Sequence, residues 1–290
     1  MVQIIAAVLM VLSSSCAVLA DQAPFQAAST TGQIRSSQLS EISGLVASRR
    51  NPGVLWVHND SGDAPRLYAV NTQGELLATA TVTGAQARDW EDIAAGPGPQ
   101  PGVTYLYVGD IGDNAAQYPS ITIYRVKEPQ VDPNGRQQEV RTEPSEAISL
   151  VYPDGARDAE TLLVDPLTRD LYVISKRELF SRVYRAAYPQ STSQTIRLEL
   201  MCLLPWGFAT GGDVSPDGTR VVVRSMLWGS LWNRDPGQSL WQAFKGKAWT
   251  LPLAAEPQGE AIGFDVAGKG YYTISEGKDP VVYYFAPARQ

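Results

Sequence analysis

The sequence predicts an all-β protein, a five-bladed β-propeller closed by an N-terminal strand, and three observations predict it. First, four short stretches begin alike: Trp90-Glu91-Asp92-Ile93-Ala94, Ala159-Glu160-Thr161-Leu162-Leu163, Gly259-Glu260-Ala261-Ile262-Gly263 and, with serine for the acid, Ile42-Ser43-Gly44-Leu45-Val46. Second, each is followed by a β-rich run ending in polar residues: Leu55-Trp56-Val57-His58-Asn59-Asp60, Leu106-Tyr107-Val108-Gly109-Asp110, Leu171-Tyr172-Val173-Ile174-Ser175-Lys176 and Tyr271-Tyr272-Thr273-Ile274-Ser275-Glu276. Third, the copies recur at about 50 residues, the spacing of one four-stranded blade. A weaker fifth copy fits residues 210–225. Between turn clusters of Gly, Pro, Asn and Asp, strand-type alternation continues from 42 to 285, with no amphipathic helix of ten residues.

The elements follow in order. Residues 1–20 are uncharged, apolar from Ile4 to Leu12, and close on Val18-Leu19-Ala20 before Asp21, which reads as a cleaved secretory signal. The run is too short and too rich in serine to span a membrane. Ser13-Ser14-Ser15-Cys16 approximates a lipidation box in which leucine sits one residue too early, so a lipoprotein is the lesser alternative to a secreted or periplasmic chain. Residues 21–290 form the propeller domain. Blade one covers about 42–84, with strands near 43–48, 54–59, 66–71 and 76–82. Blade two covers about 89–152 and holds the longest insertion, 127–146, rich in Pro, Gln and Glu; the Gly/Pro run at 96–102 is a hairpin loop inside it rather than a linker.

Blade three covers about 158–204, with Asp165-Pro166-Leu167-Thr168-Arg169 as its first turn, and blade four covers about 209–254, with Ser215-Pro216-Asp217-Gly218 at the equivalent place. Blade five has three strands, near 260–265, 270–275 and 281–286, and its fourth is expected from the N-terminus around 25–34. That closure removes the exposed edge on which all-β chains aggregate.

Composition narrows the function. Without the signal the only cysteine is Cys202, so no internal disulfide forms, and stability rests on the core. With 24 basic against 30 acidic residues, a net charge of −6, there is no broad basic surface for a nucleic acid polymer. The sole histidine, His58, rules out a multi-histidine zinc site and reads first as a strand residue bonded to a neighbour, second as a general base. No Gly-rich phosphate loop precedes a helix.

The first strand of every blade lines the central channel, so equivalent residues on it meet around the axis. Aligned on Leu45, Ile93, Leu162 and Ile262, those residues are Ser43, Glu91, Glu160 and Glu260; in blade four the turn position offers Thr210 or Gly211 and matching by charge offers Asp213, with Thr210 preferred. Three carboxylates with no base at their level do not all stay ionised in a narrow channel without a cation or large pKa shifts. Ca²⁺ accepts such carboxylate and hydroxyl oxygens in six- to eight-fold geometry. The alternative is a wide, wet channel whose acids are solvated.

One level up, the second strands end in Asn59 and Asp60, Asp110, Lys176, Arg224 and Glu276. Asp60 or Asp110 is the candidate to orient a water, and Lys176 and Arg224 to bind anionic oxygens; strand-end ion pairs are the competing reading. The Asx-Gly stretches at 59–63 and 110–114 lack EF-hand spacing. Five of the seven tryptophans, Trp206, Trp228, Trp232, Trp241 and Trp249, fall in or beside blade four. Trp228 and Trp232 are the candidates for a stacking platform, with packing between blades as the alternative.

The order Ser43, Glu91, Glu160, Thr210, Glu260 resembles the axial calcium ring of the soluble calcium-activated nucleotidases, the apyrase family. The text around Leu39-Ser40-Glu41 with 55–62, and around Asp89-Trp90-Glu91 with 106–112, is also similar. The resemblance implies Ca²⁺ on the axis of a secreted five-bladed propeller and hydrolysis of phosphoanhydrides by water. It sets Asp60 at an acidic pair in which Asn59 replaces one acid. The blade starts equally resemble phytase-like secreted bacterial propellers.

The expected function is therefore a monomeric, calcium-binding propeller that hydrolyses a small phosphorylated or anionic substrate. The alternative is a non-catalytic propeller with structural calcium that binds a glycan or protein through Trp228 and Trp232. A two-carboxylate glycosidase is the weaker third reading.

Overall fold

The computed structural model describes residues 23–135 and 137–289. The expected signal segment, 1–20, lies outside them. Strand β1 (Ser29–Gln33) comes first in the chain and last in the architecture. Blade one follows as β2 (Ile42–Ala47), β3 (Val54–Asn59), β4 (Arg66–Asn71) and β5 (Leu76–Thr81), and blade two begins with β6 (Trp90–Pro97), β7 (Thr104–Asp110) and β8 (Ile121–Lys127). The insertion after β8 is more than a loop. It carries β9 (Gln138–Arg141), which crosses back to pair in parallel with β5 on the outer edge of blade one, before β10 (Glu146–Val151) completes blade two.

Blade three is β11 (Ala159–Val164), β12 (Leu171–Ser175) and β13 (Arg182–Ala186), then a two-residue strand, β14 (Ile196–Arg197), lent to the edge of blade two, and finally β15 (Glu199–Leu203). Blade four is β16 (Gly211–Val214), β17 (Arg220–Arg224), β18 (Gly229–Asn233), the one-turn helix α1 (Leu240–Ala243) and β19 (Ala248–Thr250). Blade five is β20 (Gly259–Phe264), β21 (Tyr271–Ser275) and β22 (Val281–Phe285), and β1 supplies its fourth strand by pairing antiparallel with β22. The closure read from sequence is present, with Phe25 bridging Pro287 just outside it.

The inner strands form a closed ring, β2 against β6, β6 against β11, β11 against β16, β16 against β20, and β20 against β2. Between each pair of neighbouring blades lies one apolar core, built from the side chains that strand alternation sends off each sheet face. Nothing in this architecture requires a disulfide, and the single described cysteine, Cys202, is free. Among the described residues no helix is long and apolar enough to cross a membrane.

Two carboxylates tie the inner ring together. The Asp92 side chain accepts the backbone N–H groups of Ile93 and, across the blade gap, Leu162, at 2.8 and 2.9 Å. Asp213 does the same for Val214 and Phe264, both at 2.8 Å. An inner strand exposes one row of unpaired N–H groups to the axis, and these acids satisfy part of it. Asp213 is thus a strand staple, and Thr210 holds the ring position of blade four. Gly211 stands opposite Arg224 just as Gly44 stands opposite His58, which makes the preceding residues, Thr210 and Ser43, equivalent.

A candidate metal centre at the channel mouth

In four blades the ring residue is the second of its strand, and there the ladder slips. The register shifts between Ile42 and Gly44, Trp90 and Asp92, Ala159 and Thr161, and Gly259 and Ala261. Ser43, Glu91, Glu160 and Glu260 are the extra residues of four β-bulges. A bulge turns one side chain out of the pleat alternation, so the same local defect aims all four at the axis. All are buried, with Glu91 2%, Glu160 4% and Glu260 3% exposed.

The five ring residues do not act alike. The Ser43 hydroxyl donates to the Glu91 carbonyl oxygen at 2.5 Å, and the Thr210 hydroxyl lies 3.5 Å from the Gly259 carbonyl oxygen. Both tie one blade to the next. Glu260 faces the carboxyl of Glu276 and the ammonium of Lys176, which is 3.8 Å from its Oε1. The Lys176 ammonium also bonds Glu160 Oε1. The expectation of a ring without a base is corrected here: Lys176 belongs to the next strand, but its four-carbon stem carries the charge down to the ring.

The densest group of acids lies on the blade one to three side. Oxygens of Asp60, Asp89 and Glu91 lie within 4.8 Å of one another, and so do those of Glu91, Asp158 and Glu160. Glu91 is common to both sets. Sequence reading passed over Asp89 and Asp158, yet each stands two residues before a ring glutamate, and residues two apart in an extended segment share a face. The Asp-x-Glu spacing at 89–91 and 158–160 was the available signal.

Glycine makes the crowding of blade two possible. A Cβ on Gly112 would stand 2.2 Å from Glu91 Oε1 and 2.4 Å from Asp89 Oδ2, so a larger residue would fill the space the carboxylates occupy. Asp110 supports the cluster from behind. It accepts the Asp89 N–H at 2.8 Å and pairs with Arg88 at 3.8 Å, so it holds Asp89 in place and is not free to orient a water.

Burial and mutual repulsion hold protons on these acids. Glu91 is raised well above the usual carboxylate range by burial and then by Glu160, Asp60, Asp89 and Asp158. Asp89 is pushed up to about 6 by burial and by Asp60, Asp158 and Asp110. Glu160 reaches about 8 through burial, although Lys176 opposes the shift, and Glu276 reaches about 9 through burial and Glu260. Asp60 is also raised, again mainly by burial.

Two other site expectations are corrected. Arg224 is wholly buried and pairs with the buried Glu256 at 2.7 Å, within the blade four to five contact, so it does not face the mouth. Trp232 is also fully buried, stacked on Trp206 and edge-on to Phe244 in the core between blades three and four; it presents no ring face to a ligand. Trp228, 40% exposed, remains at the surface. His58 is fully buried, its Nδ1 bonded to the Asn59 carbonyl oxygen at 2.8 Å, and burial lowers its pKa to about 4. It is a neutral core residue, as its first reading held.

The donor set fits a hard divalent cation. It is oxygen only, it is rich in carboxylates, and two of its buried atoms, Glu160 Oε2 and Asp158 Oδ2, have no hydrogen-bond partner, the second being ion-paired with Arg177 at 2.6 Å. No protein-family model matches the chain, and no curated protein matches it in sequence. Solved structures similar in fold include the WD40 domain of Pan2 from Neurospora crassa, at 9% identity over 93% of this chain and 98% of that one, with a TM-score of 0.48. Another is a nidogen–laminin complex, at 15% identity over 81% of this chain and 72% of that one, with a TM-score of 0.44. The five-bladed assignment rests on the strand pairing itself.

Proposed function

We propose that the chain binds a divalent cation, calcium by its donor chemistry, at the channel mouth and hydrolyses a small phosphorylated or otherwise anionic substrate there. The observation that carries this reading is the convergence of Asp60, Asp89, Glu91, Asp158 and Glu160 in two three-carboxylate sets that share Glu91. Buried like charges at this density raise one another's pKa, and a divalent ion relieves that repulsion.

Glu91, with Asp89 and Asp60 on one side and Asp158 and Glu160 on the other, would hold the ion. Bound there, calcium supplies neutralising charge and polarises phosphoryl oxygens. Ser43 and Thr210, expected as ligands, serve instead to lock neighbouring blades through backbone carbonyls. Glu260 is a partner of Lys176, and the Lys176 ammonium, partly open to the mouth, binds substrate oxygens. Asp60 is only partly buried, and its raised pKa makes it a stronger base than an ordinary aspartate. It orients the attacking water.

The test is phosphate release from nucleotides, pyrophosphate and phytate by the purified chain, with calcium and then with chelator, beside calorimetric titration of calcium alone. Calcium binding with calcium-dependent release is expected. Calcium binding without release from any substrate would leave the ion structural and remove the hydrolase.

A further inference from the structure

The mouth has a second half with opposite chemistry. At the tier just above the ring, the positions two residues before each ring residue are Glu41, Asp89, Asp158, Phe208 and Gln258. Blades one to three place acids there, and blade four places an aromatic. Phe208 is 49% exposed and has a φ of 64°, a backbone conformation that bulky residues rarely adopt.

On the loops beside Phe208 further large apolar residues are exposed. Leu179 is 79%, Phe180 52%, Met226 41%, Leu227 80% and Trp228 40% exposed. Three loops hold these residues side by side. Phe208 donates its N–H to the Lys176 carbonyl, Ser181 donates to the Trp206 carbonyl, and Trp206 packs edge-on to Trp228 at 6.4 Å. Six of the ten exposed large hydrophobic residues described sit on this one rim. The corresponding loops of blades one, two and five, Asp60-Ser61-Gly62-Asp63, Asp113-Asn114 and Glu276-Gly277-Lys278-Asp279, are polar. A contiguous apolar patch of this kind marks a docking surface.

We propose that the mouth docks onto an anionic lipid surface, with calcium in the acid half bridging to lipid phosphates and the blade three and four loop tips inserted among the acyl chains. The inference rests on the calcium-binding part of the function proposed above, not on hydrolysis. Charge decides the occupant. A chain of net charge −6 with an acid cluster at its mouth is repelled by anionic lipid, and calcium there turns the same acids into a bridge. On the apolar side Arg177, half exposed beside the Leu179 tip, is paired with Asp158 at 2.6 Å, so calcium taken up by Asp158 frees a basic group next to the tips, where such groups favour anionic headgroups; Arg182, a third exposed, stays paired with Asp154 and Glu178. Leucine, phenylalanine, methionine and tryptophan tips add the apolar area that interfacial binding requires. The docking is peripheral and needs no spanning segment.

The experiment is co-sedimentation with vesicles of phosphatidylcholine alone and of phosphatidylcholine with one quarter phosphatidic acid, with calcium and with chelator. Tryptophan fluorescence is followed in parallel in the wild-type chain and in Trp228→Phe, whose difference reports Trp228 among the seven tryptophans, and calcium alone is titrated by calorimetry. Binding only to the anionic vesicles, only with calcium, is expected, with a blue-shifted tryptophan emission. Leu179→Ser and Leu227→Ser, both at exposed tips and so compatible with folding, each weaken vesicle binding roughly tenfold while calcium titration is unchanged. Calcium binding with no vesicle binding would overturn the lipid surface and leave the metal centre standing. Vesicle binding indifferent to calcium, or unmoved by both serine variants, would overturn the bridge. Failure to bind calcium at all would remove the metal centre, and this inference with it.

Discussion

Blades two and four are the same antiparallel sheet hung on the same inner ring, yet they treat the axis in opposite ways. Blade two bulges at Glu91 and sends Asp89, Glu91 and Asp92 inward, and Gly112 clears the space they need. Blade four has no such slip. Its inner strand opens on Gly211 and Gly212, whose missing side chains let it pack closely against Glu260 and Thr161, and its one axial hydroxyl bonds backbone. Its basic residue, Arg224, withdraws onto Glu256, and Trp232 fills the core beside blade three, with Trp206 and Trp241 packed against it. A pseudo-symmetric ring thus acquires a direction. On the readings proposed above, the metal centre sits among the acids of blades one to three, and the docking surface spans blade four, which has lost them, with the neighbouring loop of blade three.

The largest expected effect comes from the blade four side. Trp232→Ala removes a fully buried ring that contacts Trp206 and Phe244, and such truncations cost about 3–5 kcal/mol. Trp228→Ala, at the surface, costs less than about 1 kcal/mol. Denaturant unfolding of the two variants measures the gap directly. Equal losses would mean that the blade three to four core does not depend on Trp232.

Next comes the blade two side. Glu91→Gln removes the carboxylate common to both ligand sets, and calcium affinity falls about 100-fold, since affinity in such sites follows the number of charged ligands. Thr210→Val, at the equivalent position of blade four, leaves calcium affinity unchanged. Calorimetric titration of both variants separates the two blades. A loss in Thr210→Val comparable to that in Glu91→Gln would restore the symmetric ring expected from sequence and break the comparison.

The frame of this molecule was legible because propeller repeats constrain residue type at fixed places. A bulged polar residue followed by a β-branched or leucine core residue recurs in Ser43-Gly44-Leu45, Glu91-Asp92-Ile93, Glu160-Thr161-Leu162 and Glu260-Ala261-Ile262, and that recurrence locates the axis. What stayed hidden depends on length and on neighbours. The reach of Lys176 into the ring is set by its stem, not by its register, so counting along strands put it one level too high. Arg224 read as a mouth residue and Trp232 as part of a stacking platform, but whether each is covered is decided by the adjoining blade. Asp89 and Asp158 escaped because their tier repeats less faithfully than the ring: Phe208 and Gln258 break the run of acids set by Glu41 and the two aspartates. Strand β9 escaped because its four residues, Gln138-Glu139-Val140-Arg141, carry little of the apolar alternation that marks an inner strand.

The smallest expected effect, a shift of several degrees in melting temperature, tests whether the acid side is as crowded as its geometry implies. Asp89, Glu160 and Glu276 have folded pKa values pushed up to about 6, 8 and 9 from ordinary values of 3.8, 4.5 and 4.5. Between the ordinary and the raised value the folded state binds more protons than the unfolded state, so stability is greatest below the ordinary value and falls as pH rises through the raised one. His58 acts in the other direction. Its pKa is lowered from 6.5 to about 4, so its contribution is lost only as pH falls through that window. Above pH 6.5 the carboxylates therefore set the slope. Chelator-treated protein is expected to melt at progressively lower temperature from pH 6.5 to about 9, and saturating calcium flattens the decline by binding the deprotonated acids. Glu160→Gln removes part of the slope, whereas Thr210→Val leaves it intact. A melting temperature independent of pH in chelator would mean that water already screens the acids, and the mouth would then be the wide, solvated channel that needs no ion.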